Sequence, residues 1–274
     1  MASELEHNRG GIMTTHILIQ CSKKKNLDVD SNLTWSEKTT LESWKSNWAN
    51  SKTRIKAKKL YAGRAIKREF GFLSSNIDVS GYIISAGAGL VRLEEMIPSY
   101  ESTFSSNIRP EYSEWHNLPL GGLSNLEVEK GDRIVSFAAP NYHRALRADP
   151  EFQRLALQFT VANTSPLSKD ENVTSIQIHS RTAEYLGVAY IDLNSELLNQ
   201  YLNGGIKRLE EVYQECENLP SLKQRRKITD EDLLALVESL ESISSITNSV
   251  KYIRHTLGIS ASYERIRDAI HQLR

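Results

Sequence analysis

The sequence predicts an α/β fold: a mixed sheet flanked by helices, followed by a smaller helical module. Two observations carry this expectation. Three apolar runs, residues 16–21, 81–88 and 132–139, each end in a polar turn, which is how strands of an open α/β sheet finish where their carboxyl ends carry a ligand site. Helical patterns lie between and after these runs, so the two kinds of element alternate along the chain.

Taken in order, residues 1–14 are polar and read as a flexible extension, with Met13 as an alternative start. The first strand, His16-Ile17-Leu18-Ile19-Gln20-Cys21, opens into Ser22-Lys23-Lys24-Lys25, a hydroxyl followed by three ammonium groups. Residues 34–50 carry Trp35, Leu41, Trp44 and Trp48; positions 41, 44 and 48 share one helical face, which assigns the tryptophans to a core. Next, Lys52, Arg54, Lys56, Lys58, Lys59, Arg64, Lys67 and Arg68 interleave Ile55, Leu60, Tyr61 and Ile66. That pattern predicts a helix with one apolar and one cationic side, able to lie along a phosphate backbone.

The second strand, from Gly81, runs into Ser85-Ala86-Gly87-Ala88-Gly89. Residues 101–131 are rich in Ser, Asn, Pro and Gly and predict a long surface excursion of the kind that forms functional lids. The third strand ends at Ser136-Phe137-Ala138-Ala139-Pro140-Asn141-Tyr142-His143. A helix is expected from Pro150 to about Val161, short strands at 175–178 and 188–192, and a helix over 194–216. After a basic connector from Pro220 to Lys227, Thr229-Asp230-Glu231-Asp232 has the acids of a helix N-terminus. Residues 245–257, the turn Gly258-Ile259-Ser260 and residues 261–273 then resemble a helix-turn-helix, although plain helical hairpins share that turn. In a helix-turn-helix, Ser262, Arg265 and His271 would face a DNA groove, and Lys251 and Arg254 would reach phosphates. The expected domains are 15–220 and 221–274.

Net charge is zero, yet basic residues are concentrated at the two ends: residues 1–70 hold 14 Lys/Arg against 7 Asp/Glu, and residues 71–220 hold 11 against 20. A local basic face suffices to attract phosphate, although solvated helix faces give the same count. Only Cys21 and Cys216 occur, and the seven histidines are scattered without paired ligand spacing, so neither a disulfide framework nor a metal or cofactor is expected. No apolar stretch approaches the roughly 20 residues of a membrane span and no signal-peptide core is present, so no membrane association and a cytoplasmic location are expected. No dinucleotide or Walker fingerprint occurs either.

In order and spacing, several of these turns resemble the YaaA family of DNA-binding peroxide-stress proteins and a related group that begins with a Cys-Ser/Gly-Lys-Lys-Lys turn. Ser22, Lys25, Leu27 and Asp28 resemble that family's Leu-Ser-Pro-Ala-Lys-Thr-Leu-Asp, and Tyr61-Ala62-Gly63 its Tyr-x-Gly. Gly89-Leu90-Val91-Arg92 with Glu95, Ile97 and Tyr100 resembles its Gly-Leu-Leu-Arg-Pro-Leu-Asp-x-Ile-x-Pro-Tyr, and residues 136–142 its Asn-Leu-Ala-Ser-x-Glu-Tyr. Asn141 stands where the family has Glu, and its late Lys-Lys-Ala-Arg cluster has only His179-Ser180-Arg181 as a counterpart. The resemblance implies a mixed α/β fold with affinity for DNA. The Lys-rich group is also similar to proteins of phage defence, including a glycosylase type that removes glucosylated hydroxymethylcytosine, and this implies double-stranded DNA with modified bases as the partner.

A nucleotide taken out of a DNA stack needs its phosphates held and its base lodged against flat faces. Ser22, Lys23, Lys24, Lys25 and Arg92 are the phosphate-binding candidates, with Ser85, Gly87 and Gly89 permitting close backbone approach. Tyr61, Tyr100 and Tyr142 are the base-stacking candidates. N-glycosidic cleavage adds a carboxylate that stabilises an oxocarbenium-like transition state or activates water, for which Glu101, Glu95 and Asp28 are candidates, with Asn141 and His143 as hydrogen-bond donors. Each has a structural rival: Glu95 can pair with Arg92, Glu101 can be solvated, Asp28 can cap a turn, and Cys21 can be a small buried residue rather than a nucleophile. Three functions follow in order of preference: a DNA glycosylase of antiviral defence that flips a modified base, a non-enzymatic DNA-binding stress or defence protein, and a nucleoside or nucleotide N-glycosidase.

Overall fold

A computed structural model describes residues 13–106, 108–163, 172–219, 226–240 and 246–273; residues 1–12 of the expected extension lie outside them. Two compact units result, Met1–Glu217 and Asn218–Arg274.

The larger unit is built around β1 (Thr15–Gln20), whose Ile17, Leu18 and Ile19 are buried on both faces, the signature of a central parallel strand. It is paired in parallel on one side by β3 (Val79–Ser85) and on the other by β6 (Arg133–Ser136). Beyond β6 lie β7 (Phe159–Asn163) and β8 (Thr174–Gln177), both parallel. Beyond β3 the hairpin partner β4 (Gly89–Arg92) closes the edge antiparallel, giving the order β4-β3-β1-β6-β7-β8 in a mixed sheet. Because β3 and β6 leave β1 in opposite directions, right-handed crossovers put the helix before β3, α3 (Arg64–Ser74), and the helix after β6, α4 (Pro140–Ala148), on opposite faces. The long α7 (Leu193–Glu217), kinked at Gly205 where φ is +65°, packs on α3.

Trp44 and Trp48 are buried on α1 (Leu41–Asn50), as their spacing predicts, and Thr40 caps that helix by accepting the Ser43 N–H at 3.2 Å. The basic segment differs from expectation. It divides into β2 (Ile55–Lys56), a single turn α2 (Ala57–Leu60), an extended Tyr61-Ala62-Gly63 and then α3. The break comes from Ala62, whose N–H donates to Lys24 O at 2.9 Å, so this stretch serves as a partner for the Lys-rich turn. Four of its eight cations are paired internally: Lys56 and Lys58 grip Glu94, Arg64 grips Asp192, and Arg68 grips Glu196, while Lys52, Lys59 and Lys67 are exposed. The single cationic helix expected here is thus divided among β2, the turn α2 and α3.

The excursion over 101–131 is likewise no lid. Phe104, Trp115, Leu118, Leu123 and Leu126 are all buried in the main core, and two 3-10 turns, Tyr112–Asn117 and Leu123–Asn125, fold the segment onto the sheet. The helix expected after Pro150 is only the turn α5 (Phe152–Leu155), and its latter half is strand β7; the longer helix, α4, instead precedes Pro150. Residues 188–192 are not a strand: Tyr190–Asp192 is a 3-10 turn that leaves Tyr190 and Ile191 exposed.

The smaller unit has its own core of Ile228, Leu233, Ile253, Ile259, Ile266 and Ile270. Its helices are α8 (Asp230–Ser239), capped by Thr229, α9 (Ile246–Lys251) with a π-helical turn Tyr252–Thr256, and α10 (Tyr263–Gln272). Gly258, at φ +62°, makes the turn before α10. The helix pair and turn lie where the sequence places them, but two of the proposed groove residues are otherwise engaged. Ser262 caps α10 by accepting the Arg265 N–H at 3.2 Å, and Arg265 donates to Asp230 at 2.6 Å and to Ile228 O at 2.8 Å. Arg254 is half-buried, and the side chain of Lys251 lies outside the described residues.

Two buried ionisable groups contribute to the pH response of the larger unit in opposite senses. Burial raises the Glu69 carboxyl on α3 to about 8, Arg68 opposing, so folded Glu69 keeps a proton that the unfolded carboxyl loses near 4.5. The Glu69 share of stability therefore falls as pH rises from about 4.5 to 8, and Glu69→Gln removes that share of the pH dependence, gaining on the order of a few kcal/mol at pH 8 in denaturant titrations. His143 acts oppositely: burial, aided by Arg147, lowers it to about 4, so its share of stability is lost as pH falls from 6.5 towards 4.

Candidate functional site

The carboxyl ends of β1, β3 and β6 open to the same side of the sheet because the three strands are parallel. At the end of β3, Ser85 is fully buried, and its Oγ accepts the N–H groups of Gly87 at 3.2 Å and Ala88 at 3.0 Å, which turns the chain back into β4. The Ser85 hydroxyl also bonds the Tyr100 hydroxyl, which in turn bonds the Tyr61 hydroxyl at 2.6 Å. Two indoles satisfy the carbonyls of the turn: Trp44 donates to Gly87 O at 2.7 Å and Trp115 to Ser85 O at 2.9 Å. At Gly87 a Cβ would stand 2.6 Å from the Tyr100 ring, and at Gly89, with φ +96°, 2.1 Å from Gly121 O. Ser85, Gly87 and Gly89 are thus needed for internal packing and hydrogen bonding, and the approach they permit is that of the protein's own tyrosine and backbone rather than of a phosphate.

At the end of β1, the Cys21 thiol lies 3.4 Å from the Tyr142 hydroxyl on α4. The Lys-rich turn is held on the extended segment before α3, since Asn26 N–H donates to Leu60 O at 2.8 Å and a Cβ on Gly63 would come within 2.3 Å of Ser22 Oγ. This turn aims Lys25 inwards. Its Nζ stands 4.6 Å from the Tyr100 ring centroid and 6.0 Å from that of Tyr61, a cation over aromatic faces. Burial depresses the Lys25 pKa, opposed by the charges of Cys21 and Glu101 and reinforced by Lys23. Glu101 is exposed on a segment fixed by its own N–H to Leu33 O at 2.7 Å and by the Trp35 N–H to its carbonyl at 2.9 Å. Ser22 is half-buried, and Lys23 and Lys24 are exposed at the rim.

The structure therefore gathers Ser22, Lys25, Tyr61, Tyr100 and Tyr142 with Cys21, and sets Glu101 within electrostatic reach of Lys25. The tyrosines serve differently from the expectation. Tyr61 and Tyr100 have no exposed surface and Tyr142 almost none, their faces taken by Trp48, Trp44, Phe104 and Lys25, so none offers a free face for a base. Burial first, with the neighbouring Cys21 adding, pushes all three phenols well above their ordinary pKa and keeps them protonated.

Other candidates lie elsewhere. Arg92 pairs with Glu127 at 3.0 Å and, with Glu95, lines a separate cleft beside Tyr82 and Leu120. Asp28 is solvent-exposed. Asn141 donates to Phe104 O at 3.3 Å in the first turn of α4, and His143 bonds Ser136 Oγ at 2.8 Å inside the core. Among the described residues no cluster of His, Cys, Asp and Glu could hold a metal ion. Sequence reasoning missed Gln20, whose Oε1 accepts the Ala139 N–H at 2.8 Å, and the exposed pair Tyr190 and Ile191, whose apolar character had suggested a strand.

Residues 47–164 match a family of unknown function (DUF6884), a span that includes Tyr61, Ser85, Tyr100, Glu101 and Tyr142 but not the Lys-rich turn. No curated protein and no solved structure matches the chain.

Because Tyr100 joins both Ser85 and Tyr61, its hydroxyl matters more than theirs. Tyr100→Phe is expected to cost about 2–3 kcal/mol in denaturant unfolding and Tyr61→Phe about 1 kcal/mol, since the first strips a partner from two buried hydroxyls and the second from one.

Proposed function

We propose that the protein is a YaaA-like DNA glycosylase of the cytoplasm that excises a modified base from double-stranded DNA, in defence against phage. The observation that carries this reading is the placing of Lys25 over the Tyr100 ring with Glu101 within electrostatic reach, beside a rim of Ser22, Lys23 and Lys24. One carboxylate is the group an N-glycosidase needs opposite a developing oxocarbenium ion, and Glu101 is accessible where Glu95 lies in another cleft. Lys25, partly desolvated and with a depressed pKa, can assist the departing base or hold a phosphate, while Lys23 and Lys24 supply the exposed charge that DNA phosphates require. No part of this scheme calls for a cofactor.

The non-enzymatic DNA-binding alternative draws support from the smaller unit, where Tyr263 and His271 remain exposed on α10 after the Gly258 turn, as a helix-turn-helix needs. A single assay separates the two. Purified protein is incubated with duplexes carrying cytosine, hydroxymethylcytosine or its glucosylated form, and released base is detected by mass. Base release from one modified duplex is expected, with Glu101→Gln lowering the rate at least about 100-fold while DNA affinity stays within about twofold. Lys23→Ala and Lys24→Ala should each reduce the salt slope of binding by about 1. Binding of every duplex without release, or an undiminished rate in Glu101→Gln, overturns the glycosylase.

A further inference from the structure

We infer that the crevice outside the carboxyl ends of β1, β6 and β7 is a slot for a single-ring nucleobase, stacked on Tyr190 and read by the carboxamide of Gln20. The inference rests on the glycosylase reading only in taking the ring to be part of a nucleotide.

Position is the first argument. The chain runs from β1 to β3 on one side and later to β6 on the other, so the strand order reverses between β1 and β6. Open α/β sheets bind ligands in the crevice at that point. Here the crevice encloses about 200 Å³, room for one ring system rather than a drug-sized ligand.

Chemistry is the second. The walls are formed by Ala138, Pro140 and Ala162 with Leu197, and among the described residues no charged side chain lines the slot. A free phosphate or carboxylate would find no cation among these residues, and an uncharged ring suits them. The polar side chains facing it, apart from the Tyr190 phenol, are two carboxamides, Gln20 and Asn194, the groups that pair with base edges. The N–H of Ala139 takes the Gln20 Oε1, which identifies that oxygen and leaves the Nε2 donors for an acceptor edge such as a pyrimidine carbonyl and ring nitrogen.

The third argument is the rim. Tyr190 and Ile191 are 70% and 76% exposed, two large side chains in succession. They are not presented on a loose loop: Arg64 donates from Nε at 3.1 Å and from a terminal nitrogen at 2.5 Å to the two oxygens of Asp192, in the same 3-10 turn. The arginine comes from the first position of α3, directly after the segment that seats Ser22. One connection thus sets the aromatic rim of the slot against the phosphate-binding turn, and Gln20 immediately precedes Cys21 and Ser22 in the chain. A base in the slot would have its sugar and phosphate beside Ser22 and Lys23.

The test titrates the full chain by calorimetry with deoxycytidine monophosphate, deoxyadenosine monophosphate and deoxyribose 5-phosphate. The pyrimidine nucleotide is expected to bind at least about tenfold more tightly than the base-free phosphate. Tyr190→Ala should lose about tenfold of that affinity, the order an aromatic–base stack contributes, and Tyr190→Phe should retain it. Since Tyr190 is exposed, the alanine variant should fold, which circular dichroism checks. Equal binding of deoxycytidine monophosphate and deoxyribose 5-phosphate, tighter binding of the purine, no nucleotide binding at all, or unchanged affinity in a folded Tyr190→Ala each overturns the slot. Base release from duplex DNA with undiminished rate in Tyr190→Ala sinks the slot and leaves the glycosylase standing, whereas Tyr190-dependent nucleotide binding without base release from any duplex does the reverse.

Discussion

A buried chain of three hydroxyls, Ser85 to Tyr100 to Tyr61, organises everything outside the carboxyl end of the sheet. A buried hydroxyl without a partner costs on the order of 1–3 kcal/mol, so three of them are tolerable only when each completes another. The chain joins the end of β3, the segment after β5 (Met96–Ile97) and the extended stretch before α3, which are distant in sequence. The two indole N–H groups of Trp44 and Trp115 extend the same accounting to the backbone, because they satisfy carbonyls that the tight turn after Ser85 would otherwise leave unpaired. With those groups committed, Lys25 rests against a rigid aromatic floor and its depressed pKa follows from where the floor puts it.

Residues whose character is decided by local pattern were legible from the sequence. The strands at 16–20, 81–85 and 133–136, the tryptophan helix, the 194–216 helix and the C-terminal helices are all recovered, because hydrophobic period and caps such as Thr40 and Thr229 act within a few residues. What was not legible depends on distant partners. Tyr61 and Tyr100 look like free aromatics in sequence, and only the approach of Ser85 across the fold shows that their hydroxyls are needed inside. Likewise, nothing near Lys56, Arg64 or Arg68 announces Glu94, Asp192 or Glu196, the last two of which are 128 positions away. Ser-, Pro- and Gly-rich composition suggested a lid over 101–131, but a few large residues, Phe104 and Trp115 above all, decide the matter by burial.

Internal pairing also redistributes the charge that composition reports. Half of the basic segment's cations are turned to Glu94, Asp192 and Glu196, while the ammonium groups of Lys23, Lys24, Lys52, Lys59 and Lys67 stay exposed. The bidentate Arg64–Asp192 contact has a geometric value that exceeds its energy, since Arg64 is mostly exposed and such pairs stabilise little. What it supplies is a fixed distance between two segments.

The separate cores of the two units bear on how the molecule comes apart. Ile228, Leu233 and Ile266 pack among themselves, and the sheet unit has a far larger apolar interior of its own, so neither needs the other to bury its side chains. Each core can unfold as a cooperative unit of its own. A melting curve of the whole chain would then superpose two cooperative transitions of unequal enthalpy, and one midpoint would describe neither. Heat or denaturant would sort substitutions by unit before sorting them by severity, with the small core, having the lesser enthalpy, giving the broader transition.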